Sequence, residues 1–387
     1  MSALTQTVTQ TAAQTAPLLP TYVRHDVTFV SGEGAWLVDA EGRRYLDLLA
    51  GIAVVALGHR HPAPLAAARA QLDALWHVSN LYSTEPMTRL AELLSERFGG
   101  ASAFFCNSGA EAVEAGLKWA RKASGKPVVV ALEGSFHGRT HGALAVTGQP
   151  AKRAAWEPLA PAVRFATPNG TASLEAAMGS DVGAILLEPV LGEGGIVPLE
   201  RAFVADARAL ADEHGAVLLF DEVQAGVGRT GSFFAWQGID VRPDAVALAK
   251  GLANGLPIGA LLVAGEAPTG FEPGDHASTF GGNPVSCAAA CAVVETVDDE
   301  LLVAVRERGA QLQDGLAAFP GVVGTRGRGL LLGADLDRPA GPVAAAALAG
   351  GLLVGTAGEQ TLRLTPPLTI SQSEVELGLE LLEEVLR

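Results

Sequence analysis

From Ala103 onward, short apolar runs alternate with segments whose apolar positions recur every three to four residues. The runs Ala103–Cys106, Val128–Ala131, Ala184–Leu187, Ala216–Phe220, Ala245–Leu248 and Leu261–Ala264 lack the polar alternation of a half-solvated strand. They read as strands buried on both faces. Residues 62–75, 86–98, 110–123 and 200–214 carry helical spacing, and Pro86 suits a first helical turn. Strand and helix in alternation predict a largely parallel α/β domain. Upstream, residues 27–47 read as short strands joined by glycine turns, the central one over Asp39–Gly42. Downstream of Asn283 come an Ala-rich helix (284–297), an amphipathic helix (298–318) and mixed strands and helices to Arg387. The expected organisation is a tail over 1–20, a segment over 21–60 that joins a small α+β domain over 284–387, and a large domain over 61–283. No internal repeat is evident.

Composition narrows the function classes. The 27 Lys and Arg against 42 Asp and Glu leave a net charge of −15. Such a chain repels phosphate backbones and anionic lipid, so neither nucleic acid nor a membrane surface is an expected partner. No apolar stretch reaches the ~18 residues needed to span a bilayer, and residues 1–17 have neither the basic start nor the apolar centre of a secretory signal. The three cysteines, Cys106, Cys287 and Cys291, make no disulfide framework. A reducing cytoplasm is the expected compartment. Cys287 and Cys291 share a helix face and read as small core residues. His59 and His61 sit in one turn and read as structural, and no metal site is expected.

The chemistry lies at strand ends. Asp221 closes the run Leu218-Leu219-Phe220, where α/β proteins place their ligands. Alone it could equally cap a helix or hold Mg²⁺. Lys250 follows Ala245–Leu248 by two residues and precedes Gly251. It is either a surface lysine at the strand mouth or a partly desolvated amine fit for a Schiff base. The two lie 29 residues apart at the ends of consecutive strands. That pairing suits a pyridoxal phosphate site: the carboxylate keeps the ring nitrogen protonated, and the amine holds the aldehyde. Ser108-Gly109-Ala110 follows a strand and opens a helix, which makes either an ordinary cap or a phosphate cradle.

Four segments in this order carry a resemblance. They are Ser108–Ala112, Phe136–Thr140, Asp221–Gln224 with Gly226, Gly228, Arg229, Thr230 and Gly231, and Ala249–Gly251. The chain resembles the class III aminotransferases, pyridoxal-phosphate enzymes of fold type I, from about residue 22 to its C-terminus. Within them, Leu75–Tyr82, Gly192–Gly195 and Leu362–Leu368 are similar to the acetylornithine aminotransferases. Ser83 stands where many relatives carry a second aromatic residue.

The resemblance implies a mostly parallel seven-stranded sheet in the large domain and pyridoxal 5′-phosphate as cofactor. It implies that Lys250 carries the cofactor, Asp221 pairs with its ring nitrogen, Gln224 bonds its ring oxygen and Phe136 stacks on it. Ser108, Gly109 and Ala110 would hold the phosphate, with Glu222 and Val223 among the cofactor contacts. Thr279 would reach the phosphate, and Ser278 the substrate, from a second subunit, which makes a homodimer the expected partner state. Arg139 would bind the carboxylate of N-acetylornithine, and Arg363 the α-carboxylate of 2-oxoglutarate or glutamate. Glu193 would cover Arg363 while the amine substrate is bound. Rival readings keep the cofactor but change the ω-amine: ornithine, 4-aminobutyrate, an acetyl-lysine or carrier-linked aminoadipate semialdehyde, or succinyldiaminopimelate. A nicotinamide-binding module would need G-x-G-x-x-G directly after an early strand, and the strands at 103–106 and 128–131 are not followed by it. A non-catalytic relative would be expected to lack Lys250 or Asp221.

Overall fold

The computed structural model describes residues 17–268 and 270–387, so the expected tail falls, up to residue 16, outside the described residues. Strands β1 (Phe29–Glu33), β2 (Trp36–Asp39) and β3 (Arg44–Asp47) form an antiparallel meander. Then come β4 (Ala101–Cys106), β5 (Val128–Leu132), β6 (Ala162–Ala166) and β7 (Val182–Leu187). A small hairpin, β8 (Val190–Leu191) with β9 (Val197–Pro198), follows β7. β10 (Val217–Asp221), β11 (Ala245–Leu248) and β12 (Gly259–Ala264) complete a seven-stranded sheet in the order β4-β12-β11-β10-β7-β5-β6. β12 is antiparallel to both neighbours, and the other pairings are parallel. Every strand except β12 therefore points its carboxyl end to the same edge.

Side-chain alternation explains why these strands read as continuously apolar. Leu218, Phe220, Val246 and Leu248 join the core on one face. Val217, Leu219, Ala245 and Ala247 join a second core under the helix Gly109–Ser124. Both faces are covered, so no polar alternation is needed. Gly116 sets the closeness of that helix: a Cβ there would meet Leu219 Cδ2 at 2.8 Å. The six strands and six helices read from the sequence are present within two residues at each end. The edge strand β6 and the β8–β9 hairpin are additions.

The small domain holds β13 (Val322–Arg328), β14 (Leu331–Leu336), β15 (Leu352–Leu353), β16 (Gly355–Thr356) and β17 (Thr361–Leu364). Four of them form an antiparallel sheet, β13-β14-β17-β16, packed by helices Asp299–Ala317 and Ala340–Ala349, with helix Gln372–Leu386 lying against those helices and β15. β15 instead pairs in parallel with β3, which ties the N-terminal meander to the C-terminal part of the chain. Trp36 Nε1 adds a hydrogen bond to Glu374 at 2.9 Å. The helix Pro284–Thr296 buries Cys287 and Cys291 and packs on helices Pro62–Ala74 and Glu85–Phe98. It thus sits on large-domain helices, although the sequence reading begins the small domain at 284. Among the described residues no helix is long and apolar enough to cross a membrane.

Candidate active site

Five strand ends meet at the carboxyl edge of the large sheet. The loops after β4, β5, β7 and β11 carry Ser108, Phe136 and His137, Glu188 and Lys250, and β10 ends in Asp221. All of them line one cleft of about 420 Å³, together with Gly109, Ala110, Arg139, Val223 and Gln224.

Asp221 is 4% exposed. Its Oδ2 lies 2.8 Å from His137 Nδ1, and its Oδ1 accepts the Val223 N–H at 3.0 Å. An ionised carboxylate makes Nδ1 the donor, which leaves Nε2 bare; that atom is buried and has no partner. The His137 backbone N–H donates to Thr147 Oγ1 at 3.0 Å, so backbone and ring are both fixed.

Lys250 stands two residues past β11 in the left-handed region, at φ 42°. That conformation costs a non-glycine residue roughly 1–2 kcal/mol. The cost is held at the functional edge of the fold, where such outliers cluster. Burial pushes the Lys250 amine down to about 8, against the pull of Glu193, and Arg363 adds to the lowering.

Ser108 caps the helix Gly109–Ser124, and its Oγ accepts the Glu111 N–H at 3.2 Å. The amides of Gly109 and Ala110 open the helix beside it and are ready for an anion. Gly109 is needed here because a Cβ would meet Val223 Cγ1 at 2.7 Å.

Two neighbouring groups hold the rest. Glu188 accepts the Phe136 N–H at 2.8 Å and the Gly192 N–H at 3.0 Å. Burial pushes its carboxyl up to about 7, opposed by the charge of His137. Arg363 is 4% exposed on β17 and forms an ion pair with Glu193. Burial acts to raise the Glu193 pKa, but Arg363 outweighs it and the net shift is downward. This pair stands beside the cleft rather than in its lining, yet close enough for both charges to act on Lys250.

Three expected contacts lie elsewhere. Glu222 turns away from the cleft, correcting its expected place among the cofactor contacts. Its carboxylate accepts the N–H groups of Ala235 and Trp236 at 2.6 and 2.8 Å and caps the helix Ala235–Ile239. Ser278 Oγ accepts from Asn107 Nδ2 at 3.2 Å, and Thr279 lines a separate surface cleft with His77, Asn80 and Leu81. His59 bonds Asp47 at 2.8 Å, and His61 caps the helix Pro62–Ala74. The sequence reading missed His137 and Glu188, which are separated from Asp221 by 84 and 33 residues.

Comparison with known proteins agrees with this geometry. Residues 21–386 match the family described as Aminotransferase class-III. The chain belongs to the class-III aminotransferases. The acetylornithine aminotransferase of Mycolicibacterium smegmatis is 48% identical over 96% of both chains. That of Methanopyrus kandleri is 46% identical over 95% of this chain and 96% of the relative. Among solved structures, the N-acetylornithine aminotransferase of Stenotrophomonas maltophilia superposes with a TM-score of 0.82 at 37% identity, covering 94% and 96% of the two chains. An ornithine aminotransferase of Toxoplasma gondii, with pyridoxal phosphate at partial occupancy in its active site, reaches a TM-score of 0.91 at 28% identity over 97% and 92%.

Class-III aminotransferases depend on pyridoxal 5′-phosphate, and this chain is one of them. The cleft fits that cofactor on its own terms. The open amides at Gly109 and Ala110 suit a phosphate, and the bare Gln224 Oε1 and His137 Nε2 are buried polar atoms without a protein partner. Lys250 supplies the amine and Asp221 the carboxylate.

Proposed function

We propose that the chain transfers the δ-amino group of N2-acetyl-L-ornithine to 2-oxoglutarate. The products are N-acetyl-L-glutamate 5-semialdehyde and L-glutamate, and the step belongs to arginine biosynthesis. The observation that carries the substrate choice is the Arg363–Glu193 ion pair beside Lys250, with Arg139 in the lining of the cleft. Two arginines, one of them covered by a carboxylate, suit a reaction that takes a monocarboxylate amine and then a dicarboxylate. The curated relatives named above are in keeping with this reading.

Bound in the cleft, pyridoxal phosphate supplies an aldehyde that exchanges with the substrate amine and a ring that takes up electrons as the neighbouring C–H bond breaks. Lys250 holds the group and, once displaced, moves a proton from the amine-bearing carbon through Nζ. A pKa lowered to about 8 leaves part of the Nζ population neutral for that task. Asp221, oriented by its bond with His137, would pair with the ring nitrogen. Ser108, Gly109 and Ala110 would hold the phosphate, Gln224 would meet the ring oxygen, and Phe136 and Val223 would pack against the ring. Arg139 binds the carboxylate remote from the reacting carbon. Glu193 neutralises Arg363 during the first half-reaction and releases it to the α-carboxylate of 2-oxoglutarate in the second. The acetyl group keeps the α-nitrogen of the product from cyclising with its aldehyde.

A cytoplasmic homodimer completes the proposal. Segments 76–82 and 278–283 pack together through Asn80, which donates to Ser278 and Gly281 carbonyls at 2.9 and 2.8 Å. They leave Trp76, Leu81, Tyr82 and Phe280 exposed, an apolar patch suited to a second copy. Such a copy would bring Thr279 and Ser278 to its partner's site.

The test is a visible absorption spectrum of the holoenzyme titrated with N-acetylornithine alone. The cofactor band should bleach, and 2-oxoglutarate should restore it. Bleaching by ornithine or 4-aminobutyrate at lower concentration than by N-acetylornithine would overturn the substrate assignment.

A further inference from the structure

Lys152 is a half-buried ammonium with no anion. It sits in the short helix Pro150–Arg153, and its Nζ lies 5.0 Å from the centroid of the Phe136 ring. The Arg139 guanidinium carbon lies 5.5 Å from the same centroid. Lys152 Nζ bonds the neutral Gln149 Oε1, and Gln149 Nε2 in turn donates to Gly134 O at 3.0 Å. The ammonium is therefore tethered to the loop that carries Phe136. Among the described residues neither Lys152 nor Arg139 is paired with a carboxylate. Burial lowers the Lys152 pKa, Glu193 draws it up, and Arg139 and Arg363 push it down further. All three of those neighbours belong to the site.

The charge balance is uneven. Glu193 offsets Arg363, which leaves the exposed Arg139 and the half-buried Lys152 as two cations without a carboxylate partner beside one ring. Partial burial of the unpaired Lys152 ammonium is costly unless a ligand brings the anion. Both proposed substrates do so. N-acetylornithine carries its carboxylate remote from the δ-amine, and 2-oxoglutarate carries a second carboxylate remote from its keto carbon.

We infer that Lys152 is a second ligand for the substrate carboxylate, clasping it with Arg139 on the Phe136 side of the cleft. The inference rests on the functional reading above. It gives the site a specificity element for anionic ω-amines that Arg139 alone would supply more weakly.

The experiment compares holoenzymes of wild type, Lys152→Met and Lys152→Arg. Methionine keeps the apolar stem and removes the charge. Isothermal titration with glutarate, a five-carbon dicarboxylate with neither amine nor keto group, reads carboxylate binding without turnover. Lys152→Met should weaken glutarate about ten-fold, or about 1.4 kcal/mol, and Lys152→Arg should restore most of it. The KM for N-acetylornithine and for 2-oxoglutarate should rise to a similar degree while kcat stays within about two-fold. Equal glutarate affinity in wild type and Lys152→Met overturns the inference. So does a shifted cofactor band with unchanged affinity, which would make Lys152 a support for the Phe136 ring. A wild type that does not respond to N-acetylornithine overturns the functional reading instead, and the glutarate comparison still reads Lys152.

Discussion

His137 Nδ1 meets Asp221 Oδ2 at 2.8 Å, with both side chains buried. The histidine orients the carboxylate proposed to pair with the cofactor ring. A hydrogen bond to a charged group contributes about 1.5–3 kcal/mol. His137→Phe should therefore lower kcat about ten- to hundred-fold and weaken cofactor retention. Steady-state rates and equilibrium dialysis of pyridoxal phosphate check this. A kcat within two-fold of wild type would refute it.

Lys250 must be neutral to capture the cofactor aldehyde. Burial brings its amine down to about 8, so the neutral fraction rises as pH climbs through that value and levels off above it. Stopped-flow reconstitution of the cofactor-free protein should show a rate that increases from pH 7 to 9 and then flattens. Lys250→Ala should give no covalent capture and no measurable turnover. A reconstitution rate independent of pH would refute the assignment.

Glu193→Gln removes the charge that offsets Arg363. The half-reaction with glutamate should be preserved or quickened. That with N-acetylornithine should lose about ten-fold in kcat/KM, because the uncovered arginine then misdirects the substrate carboxylate. Single-turnover rates for the two amines measured separately decide it. Equal effects on both would rule out a switching role.

Glu222 is a buried carboxyl whose pKa burial pushes up to about 8, opposed by the N–H groups of Ala235 and Trp236. A raised folded-state pKa means the folded form holds the proton more tightly. The stability contributed is full below the unfolded value near 4.3 and is lost as pH rises through about 8. Glu188, at about 7, acts in the same direction. The thermal midpoint should fall between pH 6 and 9. In Glu222→Gln the midpoint should be lower and its pH dependence flatter, since the amide nitrogen cannot accept the second N–H. An equally steep profile in the variant would place the effect elsewhere.

The strands were legible because the interior ones are buried on both faces and read as unbroken apolar runs. β6 escaped notice because Arg164 interrupts it and its first residues are exposed or half-buried at the sheet edge. Asp221 and Lys250 were legible for a related reason: a charged residue just past an apolar strand has few places to go. The adjacent Glu222 was misplaced because successive residues leave a strand end on opposite sides. Asp221 faces the cleft, and Glu222 faces the helix Ala235–Ile239. The His137–Asp221 bond and the Lys152–Phe136 approach join residues from separate segments and depend on how the fold brings them together. No local spacing announces them.

The parallel pairing of β3 with β15 has a consequence for the nascent chain. Leu46 finds its partner Leu352 only after some three hundred further residues have been made. At roughly 5–20 residues per second, that wait is on the order of 15–60 s. The large sheet, confined to residues 101–264, is fully translated well before then. Meanwhile the first meander presents a free strand edge to other emerging copies on the same message. Emergence of Leu352 and Leu353, rather than collapse of the large sheet, is the moment at which the β3 edge can close.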